Sequence, residues 1–522
     1  MKILKGIKIP ILYPFLLSIY PVLHIYVTNI QEAELREFLF FAALVLILTL
    51  VVYFLGLFIF RKENHKAALF AGVFILLFLS YGHIFDFIAG WKVGIFSNTE
   101  NKWILDWTFG RHRYLLGFFL ILILGISIWL QRAKKDLNNM TKIYSFISIV
   151  LLIWPTIQLV NYQLFQKTQW TQEVIESEAR TNQKLPDIYY IIPDGHVRAD
   201  VAKKHFGYDL TPLINKLEDL DFYIARDARS NYTMTNLSIP SFLSMNYLDK
   251  YFDVEKMKDI KGRFEAWSLI NEHDDLKQEF NKLGYKWISL DSGYKSNMKE
   301  NTDIFLTNNQ SSFEFYNTFL DTTPLQILIK PNSSLSPARI RHNQSLFAFK
   351  KLGEIPDIKE PTFTFAHIIA PHPPYVFNKE GNIPPEDIKY LLGKSESRDI
   401  PKLKELYIDQ MDYVDRKLIE TIDTIIRKSD NPPIIVIQAD HGFHIDDIHP
   451  NDNNPELWNN YTAILSAFYF PDHDYSQLYS TITPVNNFRV VLNQYFDRKI
   501  ELLEDRSYYS WYGEPFQFQE VD

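Results

Sequence analysis

Five apolar runs crowd the first 165 residues of this chain, at approximately 9–28, 38–60, 67–88, 114–131 and 143–161. Each is close to the ~20 residues with which a helix crosses the hydrocarbon core of a bilayer, so they read as five transmembrane helices. Ile11 to Val27 is long for the apolar core of a signal peptide, and no small-x-small cleavage site follows it, so the first run reads as a retained anchor. Basic residues set the orientation. Lys2, Lys5 and Lys8 precede the first run, Arg61, Lys62 and Lys66 follow the second, and Arg132, Lys134 and Lys135 follow the fourth, marking the cytoplasmic side. Five spans with the N-terminus inside put everything after residue 162 outside, in a multi-pass protein of the inner or plasma membrane. The loop 89–113 then also lies outside, although it carries Lys92, Lys102, Arg111 and Arg113. With Trp91, Trp103 and Trp107 it reads as an aromatic belt with snorkelling cations, or as a grip on an anionic lipid.

The remaining two thirds read as globular. At 522 residues the chain exceeds one ordinary domain, and its hydrophobic share of 47% is concentrated at the front. A formal net charge of −8, with no clustered Lys and Arg, argues against a nucleic-acid partner. The absence of cysteine excludes a thiol nucleophile, a Cys-ligated zinc and any disulfide. Residues 163–185 are polar and read as a linker. From Pro186 onward strands are expected at 187–193, 222–227, 285–290, 361–369, 433–439 and 463–470. Helices are expected near 198–219, 273–283 and 401–428. This alternation predicts a mostly parallel central sheet wrapped by helices, with the proline-rich stretch 371–401 as a long loop over the active face.

Three stretches carry the chemistry. Asp187-Ile188-Tyr189-Tyr190-Ile191-Ile192-Pro193-Asp194-Gly195 and Pro433-Ile434-Ile435-Val436-Ile437-Gln438-Ala439-Asp440-His441-Gly442 each read as a buried strand ending in acid, or acid and histidine, then Gly. The carboxyl ends of such strands are where an open α/β sheet binds ligands. Between them, Ser230 to Ser244 is a polar turn entering a short buried helix, where the hydroxyl of Thr235 meets outward-pointing amide groups. Asp194, Thr235, Asp440 and His441 form an O/O/O/N set suited to one divalent metal, zinc or manganese.

In combination these stretches resemble the alkaline phosphatase superfamily, and within it the membrane-bound sulfatase-like branch of lipoteichoic acid synthases and phosphoethanolamine transferases. Thr235-Asn236-Leu237-Ser238-Ile239-Pro240 is similar to the nucleophile segment of the phosphoethanolamine transferases, and Asp440-His441-Gly442 to their metal-binding Asp-His-Gly. Asp194 stands where those enzymes usually carry Glu, a shorter ligand that leaves the metal open. The resemblance covers roughly residues 186–470 and implies five membrane helices, an extracytoplasmic catalytic domain and Thr235 as nucleophile. It also implies an active-site histidine before Pro-Pro-Tyr, matched by His372, which can protonate a leaving alkoxide. His367, inside the preceding apolar strand, reads as a satisfied core histidine. Asn236 and His449 are the expected substrate contacts, with His444 the weaker alternative to His449. The formylglycine motif of sulfatases proper is absent, because Thr235-Asn236-Leu237 cannot supply Cys or Ser followed by x-Pro-x-Arg.

The sequence therefore leads to a membrane domain at 1–162, a linker at 163–185 and a catalytic domain at 186–522. The expected reaction moves a phospholipid headgroup phosphoryl unit, of phosphoethanolamine or phosphoglycerol type, to a cell-envelope glycan or lipid acceptor through a phosphothreonine. The alternatives are a phosphodiester or sulfate ester hydrolase, and a non-catalytic protein that binds envelope polymers.

Overall fold

The computed structural model describes residues 12–30, 33–89, 92–96, 103–108, 111–134, 137–162, 185–251, 253–258, 275–294, 302–308, 313–386, 391, 399–443, 455–511 and 514–521. Two compact units emerge: Met1–Gln172 with Ser311–Ile329, and Glu173–Gln310 with Lys330–Asp522.

The first unit holds α1 (Tyr13–Thr28), α2 (Leu35–Ile59), α3 (Asn64–Leu79), α4 (Tyr81–Ala89), the hairpin β1 (Lys92–Phe96) with β2 (Trp103–Thr108), α5 (His112–Arg132) and α6 (Asn138–Asn161). Among the described residues α2, α5 and α6 are each long and apolar enough to cross a membrane, and α3 with α4 qualify as one unit bent by 51°. The apolar α1 is shorter, at 16 residues. Length and composition thus count three spans, or four with the bent pair, against the five read from the sequence. Phe58, Ile121, Phe146 and Trp154 stand exposed on these helices, the outward apolar surface that lipid rather than water accommodates. Within the stretch 89–113, Lys92–Phe96 and Trp103–Thr108 pair as the β1–β2 hairpin, a regular element that the sequence reading did not anticipate.

In chain order the second unit contains β3 (Ile188–Pro193), α7 (Ala199–Phe206), α8 (Thr211–Asp219), β4 (Tyr223–Ile224), α9 (Thr235–Leu243), α10 (Asp275–Lys282), β5 (Lys286–Leu290) and β6 (Ile304–Leu306). The helix α11 (Phe313–Asp321) belongs to the first unit. The second unit then resumes with α12 (Pro337–Leu352), β7 (Thr362–Ile368), α13 (Ile400–Lys428), β8 (Ile434–Gln438), α14 (Pro455–Thr462), β9 (Ser466–Tyr469) and α15 (Pro484–Tyr495). It closes on the hairpin β10 (Ser507–Trp511) with β11 (Glu514–Val521).

Seven strands form one sheet in the order β4-β9-β8-β3-β7-β5-β6. Pairings β8·β3, β3·β7, β7·β5 and β5·β6 are parallel, whereas β9 runs antiparallel to both β8 and β4, so the sheet is mixed but mostly parallel. β3, β7 and β8 are buried along their whole length, which is why they read as unbroken apolar runs rather than alternating ones. One face packs on α7, α8, α12 and α13, and the other on α9, α10 and α15.

The single helix expected over 198–219 is two helices. Gly207 adopts a left-handed conformation (φ 66°) that closes α7, and Pro212 opens α8. The strand expected at 222–227 shrinks to Tyr223–Ile224. The front of the proline-rich stretch is core rather than surface loop: Val376 and Phe377 are buried, and the Gln410 side chain accepts from Val376 N at 2.6 Å and donates to Pro371 O at 2.9 Å.

Candidate metal centre

Register assembles the site. In β3, Ile191 pairs with Ile437 of β8 and Ile192 with His367 of β7, so Asp194, Asp440 and His367 arrive at one edge of three neighbouring parallel strands. The Asp194 backbone is fixed on both sides, its N–H donating to Ile368 O and its carbonyl accepting from His372 N, each at 2.9 Å. Gly195 then turns with φ 69°, in the left-handed region that favours glycine, and its N–H donates to Asp440 Oδ1 at 3.1 Å. The chain leaves the sheet there and the two carboxylates stay side by side.

His441 donates from Nδ1 to Gly442 O at 2.6 Å, which leaves Nε2 facing inward. That nitrogen lies 3.5 Å from Asp194 Oδ1, 3.6 Å from Asp440 Oδ2 and 3.2 Å from Thr235 Oγ1. Thr235 opens α9, and it is half-buried while Thr233 in the same turn is fully buried. Of the two hydroxyls, only that of Thr235 meets the cluster from an accessible position. His372 likewise donates from Nδ1 to its neighbouring carbonyl, Pro373 O, at 2.6 Å, and its ring centre lies 5.8 Å from that of His441.

His367 departs from the sequence reading. Instead of a satisfied core residue, it is a buried imidazole with Nε2 3.2 Å from Asp194 Oδ2 and 3.9 Å from Asp440 Oδ2, and neither ring nitrogen has a hydrogen-bond partner among the described residues. β7 ends at Ile368, so His367 sits at the functional edge of the strand rather than within its middle. Asn236, the expected substrate contact beside Thr235, is buried. His449 and His444 lie outside the described residues.

Charge makes the cluster unusual. Burial alone would raise the Asp194 pKa, but the neighbouring imidazoles of His372, His367 and His441 outweigh it and hold this carboxyl below the usual carboxylate range. Burial would lower the His441 pKa, and the carboxylates of Asp440 and Asp194 more than reverse that. Among the described residues, Asp194 Oδ1 and Asp440 Oδ2 are nevertheless buried without a hydrogen-bond partner. Two buried carboxylates with orphaned oxygens beside inward-facing imidazoles are costly without a cation. Ligand atoms of Asp194, His372 and His441, and of Asp194, His367 and Asp440, form two overlapping groups, each within 4.8 Å. This donor set fits a divalent metal.

The C-terminal hairpin braces the nucleophile turn, a role that sequence reasoning left open. Tyr508 N donates to Asn231 O at 2.9 Å, Ser507 Oγ to Ser230 O at 2.8 Å, and Phe516 packs with Tyr232, Met234 and Leu237. Tyr509 stacks on Trp458 at 5.1 Å, within 6.0 Å of Tyr461, whose carbonyl accepts from Gly442 N at 2.7 Å. One small element thus touches the supports of both Thr235 and His441. Tyr509→Ala should cost about 3 kcal/mol in denaturant unfolding, as large-to-small changes at buried aromatics do. Turnover should fall under conditions where the variant remains folded, and unchanged turnover and stability would show that the hairpin is passive.

A mostly parallel sheet with acids, a hydroxyl and imidazoles converging at its carboxyl edge defines an alkaline-phosphatase-like transferase or hydrolase. Residues 186–488 match the Sulfatase family model, and the chain belongs to that family. No curated protein sequence matches it significantly. Among solved structures, it is similar to the integral membrane lipooligosaccharide phosphoethanolamine transferase A from Neisseria meningitidis. That match has 15% identity and a TM-score of 0.40, and covers 72% of this chain and 68% of the other. It is also similar to the periplasmic domain of EptC from Escherichia coli in complex with Zn, with 13% identity, a TM-score of 0.42 and coverages of 65% and 93%. A third is the lipoteichoic acid synthase LtaP from Listeria monocytogenes, with 14% identity, a TM-score of 0.34 and coverages of 59% and 71%.

Proposed function

We propose that this chain is a five-span membrane enzyme whose extracytoplasmic sulfatase-family domain transfers a phosphoryl headgroup unit from a phospholipid to a cell-envelope glycan or lipid. The observation that carries the reading is the Thr235 hydroxyl, half-buried at the start of α9 and 3.2 Å from His441 Nε2, beside two buried carboxylates.

In the first step Thr235, its hydroxyl proton given up to water, bonds through oxygen to the phosphorus of the donor diester, and the bond from phosphorus to the diacylglycerol oxygen breaks. The leaving alkoxide takes a proton from His372, whose Nδ1–H is held by Pro373 O, leaving Nε2 to carry the transferred proton. In the second step an acceptor hydroxyl gives its proton to His372 as its oxygen bonds to phosphorus, and the bond from phosphorus to the Thr235 oxygen breaks, returning Thr235 as the alkoxide for the next turnover. The N-terminal end of α9 favours the anion that both steps pass through. Asp194, Thr235, Asp440 and His441 would hold a divalent cation, zinc or manganese, which would supply a lowered hydroxyl pKa and a polarised phosphoryl oxygen.

Purified enzyme given a phospholipid donor should release diacylglycerol, and lipid mass spectrometry should find the headgroup on an added alcohol acceptor. A transferase partitions toward that acceptor as its concentration rises. Product formation indifferent to the acceptor would make the enzyme a hydrolase, and no diacylglycerol from any phospholipid would exclude the donor class.

A further inference from the structure

The chain passes between the two units three times, because residues 311–329, deep within the globular part of the sequence, fold with the membrane helices. We infer that residues 313–329 are a re-entrant membrane insertion of the catalytic half, locked in a notch at Gly82 and contacting lipid through Ile327 and Leu328. The inference rests on the membrane reading of the first unit and is independent of the reaction.

Packing places the segment. Phe319 of α11 lies 4.4 Å from Phe41 between ring centres, and Phe315 lies 5.6 Å from Phe41 and 6.4 Å from Tyr26. Their cluster includes Val22 and Val27 near the end of α1, Ala42 and Val45 near the start of α2, and Ile75 and Leu79 at the end of α3. All of these lie at one end of the bundle, opposite the turn that joins α2 to α3. With nine residues α11 spans about 14 Å, half a hydrocarbon core, so the segment enters and leaves from the same side.

Its backbone is completed as a water-poor setting demands. After α11, Thr322 Oγ1 donates to Phe319 O at 2.8 Å, Thr323 Oγ1 to Leu320 O at 3.0 Å, and Gln326 Nε2 to Asp321 O at 2.9 Å. The next carbonyl, Thr322 O, accepts from Gly82 N at 3.0 Å. Gly82 sits just past the break between α3 and α4, where its amide turns outward to this segment. A Cβ there would stand 1.7 Å from Asp321 O, so only glycine admits the approach. Beyond this anchor Ile327 is 37% exposed and Leu328 76%. Apolar side chains so exposed, at the end of a membrane bundle, match the boundary between headgroups and acyl chains of the adjacent leaflet.

The chain has no cysteine, so Leu328→Cys can be labelled cleanly with a polarity-sensitive fluorophore in the full-length protein. The labelled protein is placed in nanodiscs containing brominated phosphatidylcholine, with Ile121→Cys on α5, 70% exposed, as the lipid-facing control. Bromolipid should quench both labels to a similar degree, and aqueous iodide should quench neither strongly. Iodide quenching at residue 328, or protection from both quenchers by a second copy, overturns the inference while the control stays lipid-quenched. A control that escapes bromolipid overturns the membrane reading itself, and the inference with it. Gly82→Ala should expose the label at residue 328 to iodide and leave the control unchanged. Phe319→Ala, which spares the helix break, should do the same. A label at residue 328 still lipid-quenched in both variants would refute the notch.

Discussion

Thr235→Ala is expected to fold normally and lose at least about a thousandfold in kcat, roughly 4 kcal/mol of transition-state stabilisation. The side chain is half-buried, and the helix packs into the core through Leu237, Ile239, Phe242 and Leu243, so truncating Thr235 should change stability by only about 0.5 kcal/mol. Its hydroxyl is the one that meets His441 Nε2 at 3.2 Å, and alanine leaves no atom there to bond phosphorus. Wild-type enzyme given a phosphodiester should accumulate a phosphorylated peptide containing Thr235, and Thr235→Ser should recover part of the activity because an oxygen returns to the same place. Thr233→Ala is the contrast. Thr233 is fully buried and its Oγ1 accepts from Ser510 N at 3.4 Å, so its loss should cost about 1 kcal/mol of stability and spare turnover. Full activity in Thr235→Ala would sink the nucleophile, and a phosphopeptide mapping elsewhere would move it.

The fold around that hydroxyl was legible where burial is total. β3 and β8 are covered on both faces, so composition alone marks them as strands, and the Asp that ends each run stands out against it. What sequence could not supply is register. His367 shares the site because it pairs with Ile192, 175 positions away, and nothing local separates a histidine near a strand's end from one in its middle. Gly207 and Pro212 carry a visible break signal inside 198–219 that the expectation of one helix passed over. The segment at 313–329 shows a different limit. Phe315 and Phe319 form an i, i+4 pair of the kind that buries against any core, and the spacing fixes that a face is buried without saying which unit buries it. The closing hairpin, past the last residue of the family match, fails for a related reason: its partners, Ser230 and Asn231, lie more than 270 residues upstream.

Chelation is expected to abolish turnover and to lower the melting temperature of the second unit by several degrees, with both effects reversed by zinc or manganese. A ligand that binds only the folded state stabilises it by RT ln(1 + [L]/Kd), about 4 kcal/mol at a thousandfold excess over Kd. The direction follows from the orphaned atoms. With Asp194 Oδ1 and Asp440 Oδ2 buried and lacking hydrogen-bond partners among the described residues, removing a cation takes away the group that would satisfy both oxygens, and the fold that holds them together becomes less stable. His441→Ala should weaken metal binding and make the melting temperature insensitive to chelator. Asp440→Asn tests the charge separately, because it takes one carboxylate from the ligand set: metal affinity should fall, and chelator should shift its melting temperature less than it shifts that of the wild type. His367→Ala separates ligation from packing: if its Nε2 is a ligand, as its place beside both carboxylates suggests, metal affinity falls together with stability, whereas a packing residue would lower stability equally with and without metal. Melting and turnover that ignore chelators in the wild-type protein would remove the metal from the mechanism altogether.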